Sequence, residues 1–501
     1  MATAISQISP LLLGLGAFVL YLFASRFRTW TRLRHIPGPR GAGWSRFWLI
    51  RHQLRGTLPN DVADVCEKYG PLARVGPNWV VCSDPSEIRR TWGVRSGFRR
   101  ADWYKGYRFD PNSDSILTAV DNEHHHRLKT NLLPGYLGRN QPGQEKIVDT
   151  HIANFIALID RSYLSLSQQQ VKKMDMGRVF QFLTQDITSA VEFGEAFGYL
   201  EANCDRDGVI AALEGMQGPC ALFSYLPELL AVVTSRWAKP LMPKPTDTTG
   251  IGRLVGMVQE MVGTRYGEKK TKGVDALQQF VDSDLTQKEV EAEALVHLLG
   301  GADTTATALR NTIFYLSTTP AAYRRLQSEI DAFLPNAARP IIADAQAKTL
   351  PYLQACIKES LRLWPPIAGL APKVSARDEV ICGFDVPAGT YVAWAIFGVM
   401  RDKGVFGDDA DVFEPGRWLG REEKKLREME SVQGLVFNGG TRWECLGRRL
   451  AYTELGKVLF ELFARYDFSM VNPVEPFHWN IPGMTVQEKM DVRIVKRAGM
   501  D

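Results

Sequence analysis

Phe437-Asn438-Gly439-Gly440-Thr441-Arg442-Trp443-Glu444-Cys445-Leu446-Gly447 runs directly into Arg448-Arg449-Leu450-Ala451-Tyr452-Thr453-Glu454-Leu455-Gly456-Lys457-Val458-Leu459-Phe460. Leu450, Leu455, Val458, Leu459 and Leu462 fall at helical spacing, so the second part predicts a helix with Cys445 just ahead of its first turn. Free backbone N–H groups and the positive end of the helix dipole stabilise a thiolate at such a place. The glycines let backbone approach another group closely, and Arg442 offers a cation to an acid. Two readings follow: a structural cysteine buried after a turn, or a thiolate under a glycine-rich loop serving as the axial ligand of a haem iron.

The stretch resembles the haem-binding loop of the cytochrome P-450 superfamily, Phe-x-x-Gly-x-Arg-x-Cys-x-Gly, with one departure. Counted from Phe437, the cysteine arrives one residue late. Counted back from Cys445, Thr441 replaces the usual glycine, and Arg442 stands three residues before the cysteine instead of two. The loop is remodelled, and the resemblance implies Cys445 as the iron ligand with Arg442 beside the cofactor.

Further upstream, Glu293-Ala294-Leu295-Val296-His297-Leu298-Leu299-Gly300-Gly301-Ala302-Asp303-Thr304-Thr305-Ala306 is a long helical run with a weak centre. Each of Gly300 and Gly301 costs roughly 1 kcal/mol relative to alanine inside a helix. Small residues there would let a flat ligand lie against the backbone. A kinked core helix whose threonine bonds back to its own carbonyl is the other reading. The run is similar to the family motif (Ala/Gly)-Gly-x-(Asp/Glu)-Thr-(Thr/Ser). That resemblance implies proton delivery during oxygen activation, with Thr304 hydrogen-bonding the bound oxygen and Asp303 relaying protons from solvent.

Glu123-His124-His125-His126-Arg127-Leu128-Lys129 places three histidines in a row. On a helix, neighbours diverge by about 100°, so they cannot share one metal ion. His125 and Lys129 do share a face, either as a solvated basic surface or as two donors to a carboxylate. They match the family's Trp/His-x-x-x-Arg, which implies a hold on a haem propionate. Lys373, after Ala371-Pro372, stands where the family often has another propionate-binding arginine. Glu359 and Arg362 are spaced to pair on a helix ended by Pro365-Pro366. In the family this Glu-x-x-Arg is buried and joined by an arginine from Phe-x-Pro-x-Arg, here Arg417 of Phe413-Glu414-Pro415-Gly416-Arg417. Ala101 to Leu117 is aperiodic and rich in aromatics, and the resemblance makes it a pocket wall, as it does Ile367 to Leu370 and Ile481 to Met484. It makes Gly208 to Trp237 a roof touching the membrane.

The 501-residue chain has 60 Lys+Arg against 56 Asp+Glu, so bulk charge suggests no nucleic-acid partner. Its seven cysteines are scattered, without metal or disulfide spacing, which fits a reducing compartment. Ala2 to Ser25 carries no charge, and Arg26, Arg28, Arg32 and Arg34 follow at once. About 20 such residues can cross a bilayer, and flanking arginines keep their side cytosolic. A cleaved signal peptide or a mitochondrial presequence fits less well. His35-Ile36-Pro37-Gly38-Pro39 reads as a stiff elbow.

The expectation is therefore residues 1–25 as a transmembrane signal anchor, 26–60 as a basic, Pro/Gly-rich hinge, and 61–501 as a catalytic domain. Its fold would be mainly α with a small β-rich subdomain, the triangular prism of the cytochrome P-450 family. The resemblance implies haem b between the Gly301 helix and the Cys445 loop, and insertion of one oxygen atom from O2 into a lipophilic small molecule, in the style of fungal secondary-metabolism members. Electrons would come from NADPH through the membrane-bound cytochrome P-450 reductase, docking near Lys129, Arg442, Arg448 and Arg449. The location would be the endoplasmic reticulum membrane, single-pass, with the domain in the cytosol. Rival readings are a haem-thiolate dehydratase or isomerase needing no external electrons, and a non-catalytic haem sensor.

Overall fold

A computed structural model of the protein describes residues 10–139, 141, 143–167, 170–238, 240, 242–267 and 271–497. The helices that matter for the site are α1 (Pro10–Arg32), α2 (Asn122–Tyr136), α3 (Met176–Phe193), α4 (Val209–Tyr225), α5 (Gln287–Thr318), α6 (Pro351–Leu363) and α7 (Arg448–Arg465). The 32-residue α5 is the axis of the helical side. It starts at a capping box, in which Thr286 Oγ1 accepts from Glu289 N–H and the Glu289 carboxylate accepts from Thr286 N–H at 2.9 Å. It stops at Thr319, before Pro320. Helices α3, α6 and α7 pack along it. Their inward rows, among them Phe180, Ile187, Leu298, Ile313, Ile357 and Leu459, form the larger core.

The β-rich side is a five-stranded sheet in the order Leu72–Gly76, Trp79–Cys82, Tyr391–Trp394, Lys373–Ser375, Phe98–Arg100. Only the pair Trp79–Cys82 with Tyr391–Trp394 is parallel. Leu72–Gly76 and Trp79–Cys82 pair antiparallel as a hairpin across Pro77-Asn78. Glu379–Ile381 pairs with Phe384–Val386 as a separate hairpin. Antiparallel pairing sets Arg100 opposite Lys373, so two cations share one rung.

Glu359, Arg362 and Arg417 meet as the motifs imply. Glu359 Oε1 accepts from Arg362 Nη2 and from Arg417 Nε at 2.8 Å, and Oε2 accepts from Arg362 Nε and Trp418 Nε1 at 2.9 Å. All three charged side chains are fully buried. The remaining guanidinium protons go to carbonyls, including Met400 O and Phe406 O, and from Arg417 Nη1 to the Asp409 carboxylate at 2.9 Å, so the knot has its donors satisfied.

At the N-terminus, residues 1–9 of the expected anchor lie outside the described residues. Helix α1 continues past residue 25 through Arg26 and Arg28 to Arg32, so the expected hinge begins as helix. Among the described residues no single helix is long and apolar enough to cross a membrane; a bent pair, Arg206–Tyr225 with Pro227–Val233, passes that test of length and composition together. The elbow is clamped: buried Arg74 donates to Trp30 O at 3.0 Å, Gly43 O at 3.1 Å and Pro77 O at 2.6 Å. A Cβ on Gly38 would meet Arg74 O at 2.0 Å, which is why a glycine stands between the two prolines.

Candidate active site

Helices α5 and α7, with the Cys445 loop between them, line a cavity of about 220 Å³. Its floor is the loop. Gly439 N–H bonds Gly434 O at 2.9 Å, and a tight turn follows, with Asn438 at φ +52° and Gly440 at φ +74°. The loop closes when Cys445 N–H donates to Phe437 O at 2.9 Å. The extra residue is absorbed in that turn, so the register counted back from the cysteine survives. As a result Trp443, two residues before Cys445, lines the cavity. Arg442 points outward, its Nη2 donating to Val94 O at 2.6 Å and Ser96 O at 3.0 Å.

Cys445 is surface-accessible because it opens on the cavity. Elsewhere protein surrounds it, and burial pushes its thiol pKa up. Backbone N–H groups of Gly447 and Arg448, at the start of α7, pull the other way. A metal ion in reach of that sulfur would tip the balance, since a coordinating thiol is deprotonated outright.

Next to the floor lies a cluster of cations. Arg100 lines the cavity; one guanidinium nitrogen donates to Ile116 O, and its buried Nε has no protein partner. The sequence reading missed Arg100, and Phe98-Arg99-Arg100, where alternation sends one arginine inward, was the signal available. Lys373, the residue across the rung, is 1 % exposed and donates to Tyr104 Oη at 2.7 Å and Ala371 O at 2.9 Å. Its ammonium sits in an aromatic box, 4.1 Å from the Trp92 ring centre, 4.7 Å from Trp443 and 4.9 Å from Tyr104. Burial, then Arg100, pushes its pKa well down. Lys373 is therefore behind the wall and not on it.

His125 is on the wall and buried, while His126 is exposed on another side of α2. Burial, then the charges of Arg100, Lys129 and Arg442, hold His125 down to about 2, so its ring is neutral. Lys129 is not on the wall: its Nζ donates to Arg442 O at 3.0 Å and fastens the loop. Neither Arg100 nor Lys373 has a carboxylate ion-pair partner among the described residues. Arg100, a buried cation on the wall with no protein anion and an orphan donor, fits a ligand bearing a carboxylate. With a cysteine sulfur in the floor, the residues present fit haem.

The ceiling is α5. Gly300, Gly301 and Thr304 line the cavity. A Cβ on Gly300 would meet nothing within 4 Å, whereas one on Gly301 would meet Thr188 Oγ1 at 2.7 Å. The missing side chain of Gly300 opens onto the cavity, and that of Gly301 makes room for α3. Thr304 Oγ1 donates to Gly300 O at 2.7 Å, the back-bonding that was one of the two sequence readings. Asp303 faces away from the cavity, toward α3. Its Oδ1 accepts from Gln181 Nε2 at 3.0 Å and lies 3.5 Å from Arg310 Nη2.

Ile116, Leu117, Val296, Leu361 and Ile367 give the remaining wall an apolar character. From the aperiodic stretch, Trp103 and Tyr104 are buried against Tyr225 and Lys373 and not in the cavity wall. Glu454, unanticipated from sequence, lines the floor, and burial raises its pKa well up, so it is neutral.

A family model described as Cytochrome P-450 matches residues 37–491. The chain is 33 % identical, over 96 % of its own length and 96 % of the relative's, to cytochrome P-450 monooxygenase ABA1 of Pyricularia oryzae. It is 33 % identical to monooxygenase aba1 of Botryotinia fuckeliana, over 94 % and 93 % of the two chains. With abl1 of Leptosphaeria maculans it shares 34 % identity, over 89 % of this chain and 80 % of that one. A match of this extent, over a cavity floored by a cysteine at a helix start and flanked by the unpaired buried Arg100, makes this chain a member of the cytochrome P-450 family, a haem-dependent oxidoreductase.

Proposed function

We propose that the chain is a haem b monooxygenase that transfers one oxygen atom of O2 to a lipophilic small molecule of secondary metabolism, a terpenoid, polyketide or alkaloid-like scaffold. The balance is RH + O2 + NADPH + H⁺ → ROH + H2O + NADP⁺. A C–H bond is broken, a C–O bond forms, and the second oxygen leaves as water. The observation that carries the reading is Cys445 facing Gly300 and Thr304 across a largely apolar cavity.

When bound, haem supplies oxygen activation, and a cysteine ligand favours O–O cleavage. The protein's own residues do the rest. Cys445, Arg100 and neutral His125 fix the cofactor's position and its carboxylates, with Lys373 and Lys129 supporting the wall and loop. Gly300 leaves space for the cofactor and substrate. Thr304 has its proton committed to Gly300 O and its lone pairs open, so it accepts a hydrogen bond in the cavity, and it can donate when that bond is released. Ile116, Val296 and Ile367 exclude water around the substrate.

Electrons are proposed to come from NADPH through the membrane-bound reductase, at the outer face of the Cys445 loop. There Arg448 is paired with Glu444 at 2.9 Å, and no described ion pair engages Arg449. The uncharged start of α1 followed by arginines supports a single-pass anchor in the endoplasmic reticulum with the domain in the cytosol. Exposed Phe23 and Phe27 stacked near Trp44 suit the interface depth.

The test is expression with reductase and a panel of such scaffolds, following products by mass. Product that requires NADPH supports the monooxygenase; turnover without NADPH gives the dehydratase or isomerase. Cys445→Ser is expected to lose the thiolate-type reduced-CO band, and retention of that band would refute the ligand assignment.

A further inference from the structure

Cys382 and Gly383 are the two central residues of the tight turn between Glu379–Ile381 and Phe384–Val386, whose register pairs Ile381 with Phe384. Both take left-handed backbone, at φ +49° and φ +79°. A two-residue hairpin turn of this kind calls for Asn, Asp or Gly ahead of its glycine, and a cysteine there is strained. The strained position sets its sulfur against another. Cys382 Sγ lies 3.8 Å from Cys82 Sγ, 300 residues earlier in the chain, at the end of the inner strand Trp79–Cys82. Cys82 is 0 % exposed, whereas Cys382 is half-buried at the edge of the core beneath the sheet.

Free cysteines also fill apolar cores as small hydrophobes, and that reading covers nearby Cys66. Its thiol is buried 3.9 Å from Val81 O, and burial pushes its pKa up to about 12. It does not cover Cys82 and Cys382, whose sulfurs differ in kind. A hydrogen bond from the Cys82 thiol holds Cys382 below the ordinary thiol value, against partial burial, Asp84 and Glu87 and with help from Arg90. The same bond, with burial, holds Cys82 far above that value. An accessible thiol of lowered pKa beside a buried resolving thiol is the arrangement of an oxidation-sensing pair. The turn is held at the sheet by its neighbours. Cys382 N–H donates to Glu87 Oε1 at 3.3 Å, Arg90 Nη2 donates to Val380 O at 2.7 Å, and His35 Nε2 lies 2.8 Å from Asp385 O. Neither cysteine lines the active-site cavity.

We propose that Cys82 and Cys382 are a redox-active dithiol that hydrogen peroxide converts to a disulfide, fastening the hairpin to the five-stranded sheet. In the first step the Cys382 thiolate attacks one peroxide oxygen and the O–O bond breaks. The other oxygen leaves as hydroxide and takes up the proton lost by the thiol, giving water and a sulfenic acid. In the second step the Cys82 sulfur attacks the sulfenic sulfur. An S–S bond forms, and the hydroxyl leaves with the Cys82 proton as a second water. The sum is 2 RSH + H2O2 → RSSR + 2 H2O, with one electron lost from each sulfur, and a thiol such as glutathione reverses it. The step calls for neither NADPH nor a reductase, so it stands apart from the monooxygenase reading. The sulfurs close from 3.8 Å to about 2.0 Å, a movement within the reach of a two-residue turn. A bond between points 300 residues apart restricts the unfolded chain, so the closed form is the more stable one.

The test exposes the haem-loaded full chain to equimolar hydrogen peroxide, alkylates the remaining thiols and maps peptides without reduction. Expected is a cross-link of Cys82 to Cys382, lighter by two hydrogens and lost on adding dithiothreitol. The oxidised protein should melt several degrees above the reduced one. Cys66→Ser should keep the cross-link, and Cys82→Ala should leave Cys382 as a sulfenic acid that dimedone captures. Cys382→Asn supplies the residue the turn prefers, so it should abolish the cross-link while the reduced protein melts at the wild-type temperature or above. Exposed, solitary Cys204 is the internal comparison. Cys82 and Cys382 still open to alkylation once Cys204 is oxidised, or a Cys66–Cys82 link in their place, overturns the proposal. So does a Cys382→Asn protein that melts well below reduced wild type, which would make Cys382 a packing residue.

Discussion

Gly300 and Gly301 are neighbours of one type in one helix, and the structure predicts opposite results when each becomes alanine. Either change relieves a helix-interior glycine and contributes about 1 kcal/mol of stability. At Gly300 the new methyl enters open space, so the gain is kept, at the expense of cavity volume. At Gly301 it would lie 2.7 Å from Thr188 Oγ1 and 2.9 Å from Thr188 Cγ2, in a seam closed by α3. Overpacking of that kind costs about 1–3 kcal/mol, so Gly301→Ala should be neutral to about 2 kcal/mol less stable than wild type. The separation between the two variants is the overpacking cost itself. Urea unfolding of each, followed by circular dichroism, measures it. Adding Thr188→Ala to Gly301→Ala removes both offending atoms and should restore most of the loss, a coupling expected only of touching residues. Equal stabilisation by the two alanines, or no coupling to position 188, would refute the placement of α3 against Gly301.

Glu359→Ala would leave Arg362 charged and fully buried without its anion, and Arg417 with Asp409 alone, a loss of about 3–5 kcal/mol. Soluble yield and the urea midpoint should both collapse. Arg100→Gln removes a charged donor from the cavity wall, worth about 1.5–3 kcal/mol, so haem should transfer to an apo-globin acceptor roughly tenfold or more faster. Arg442→Gln should change that rate less, because its guanidinium holds Val94 O and Ser96 O. Acid sensitivity should trace in part to His125. Its pKa is held at about 2 in the fold against an ordinary value of about 6.5, so between those values the unfolded chain binds the extra proton. Stability should therefore fall as pH drops below about 6.5, by up to about 1.4 kcal/mol per pH unit, and His125→Gln should flatten that slope in pH-dependent unfolding.

What the sequence determined by itself was the family, the place of Cys445 ahead of a helix, and the pairing of Glu359 with Arg362; the burial of that pair and its joining by Arg417 were implied by the family resemblance. The motifs rest on contiguous spacing: a thiol before a helix, a glycine pair inside one, a Glu-x-x-Arg turn. Spacing along one element is what a linear chain records directly. Tertiary structure decided which way side chains face between elements. It moved the inward position of the loop to Trp443, because a one-residue surplus was taken up upstream, in the Gly440 turn. It set Lys373 behind an aromatic wall, and it brought in Arg100 from a strand far from any motif. It turned Asp303 to α3 and gave Gly301's missing side chain to Thr188. Cys82 and Cys382 stood in the sequence as two of seven scattered cysteines. Only the fold sets their sulfurs side by side, because a contact across 300 residues comes from packing and leaves no spacing along the chain.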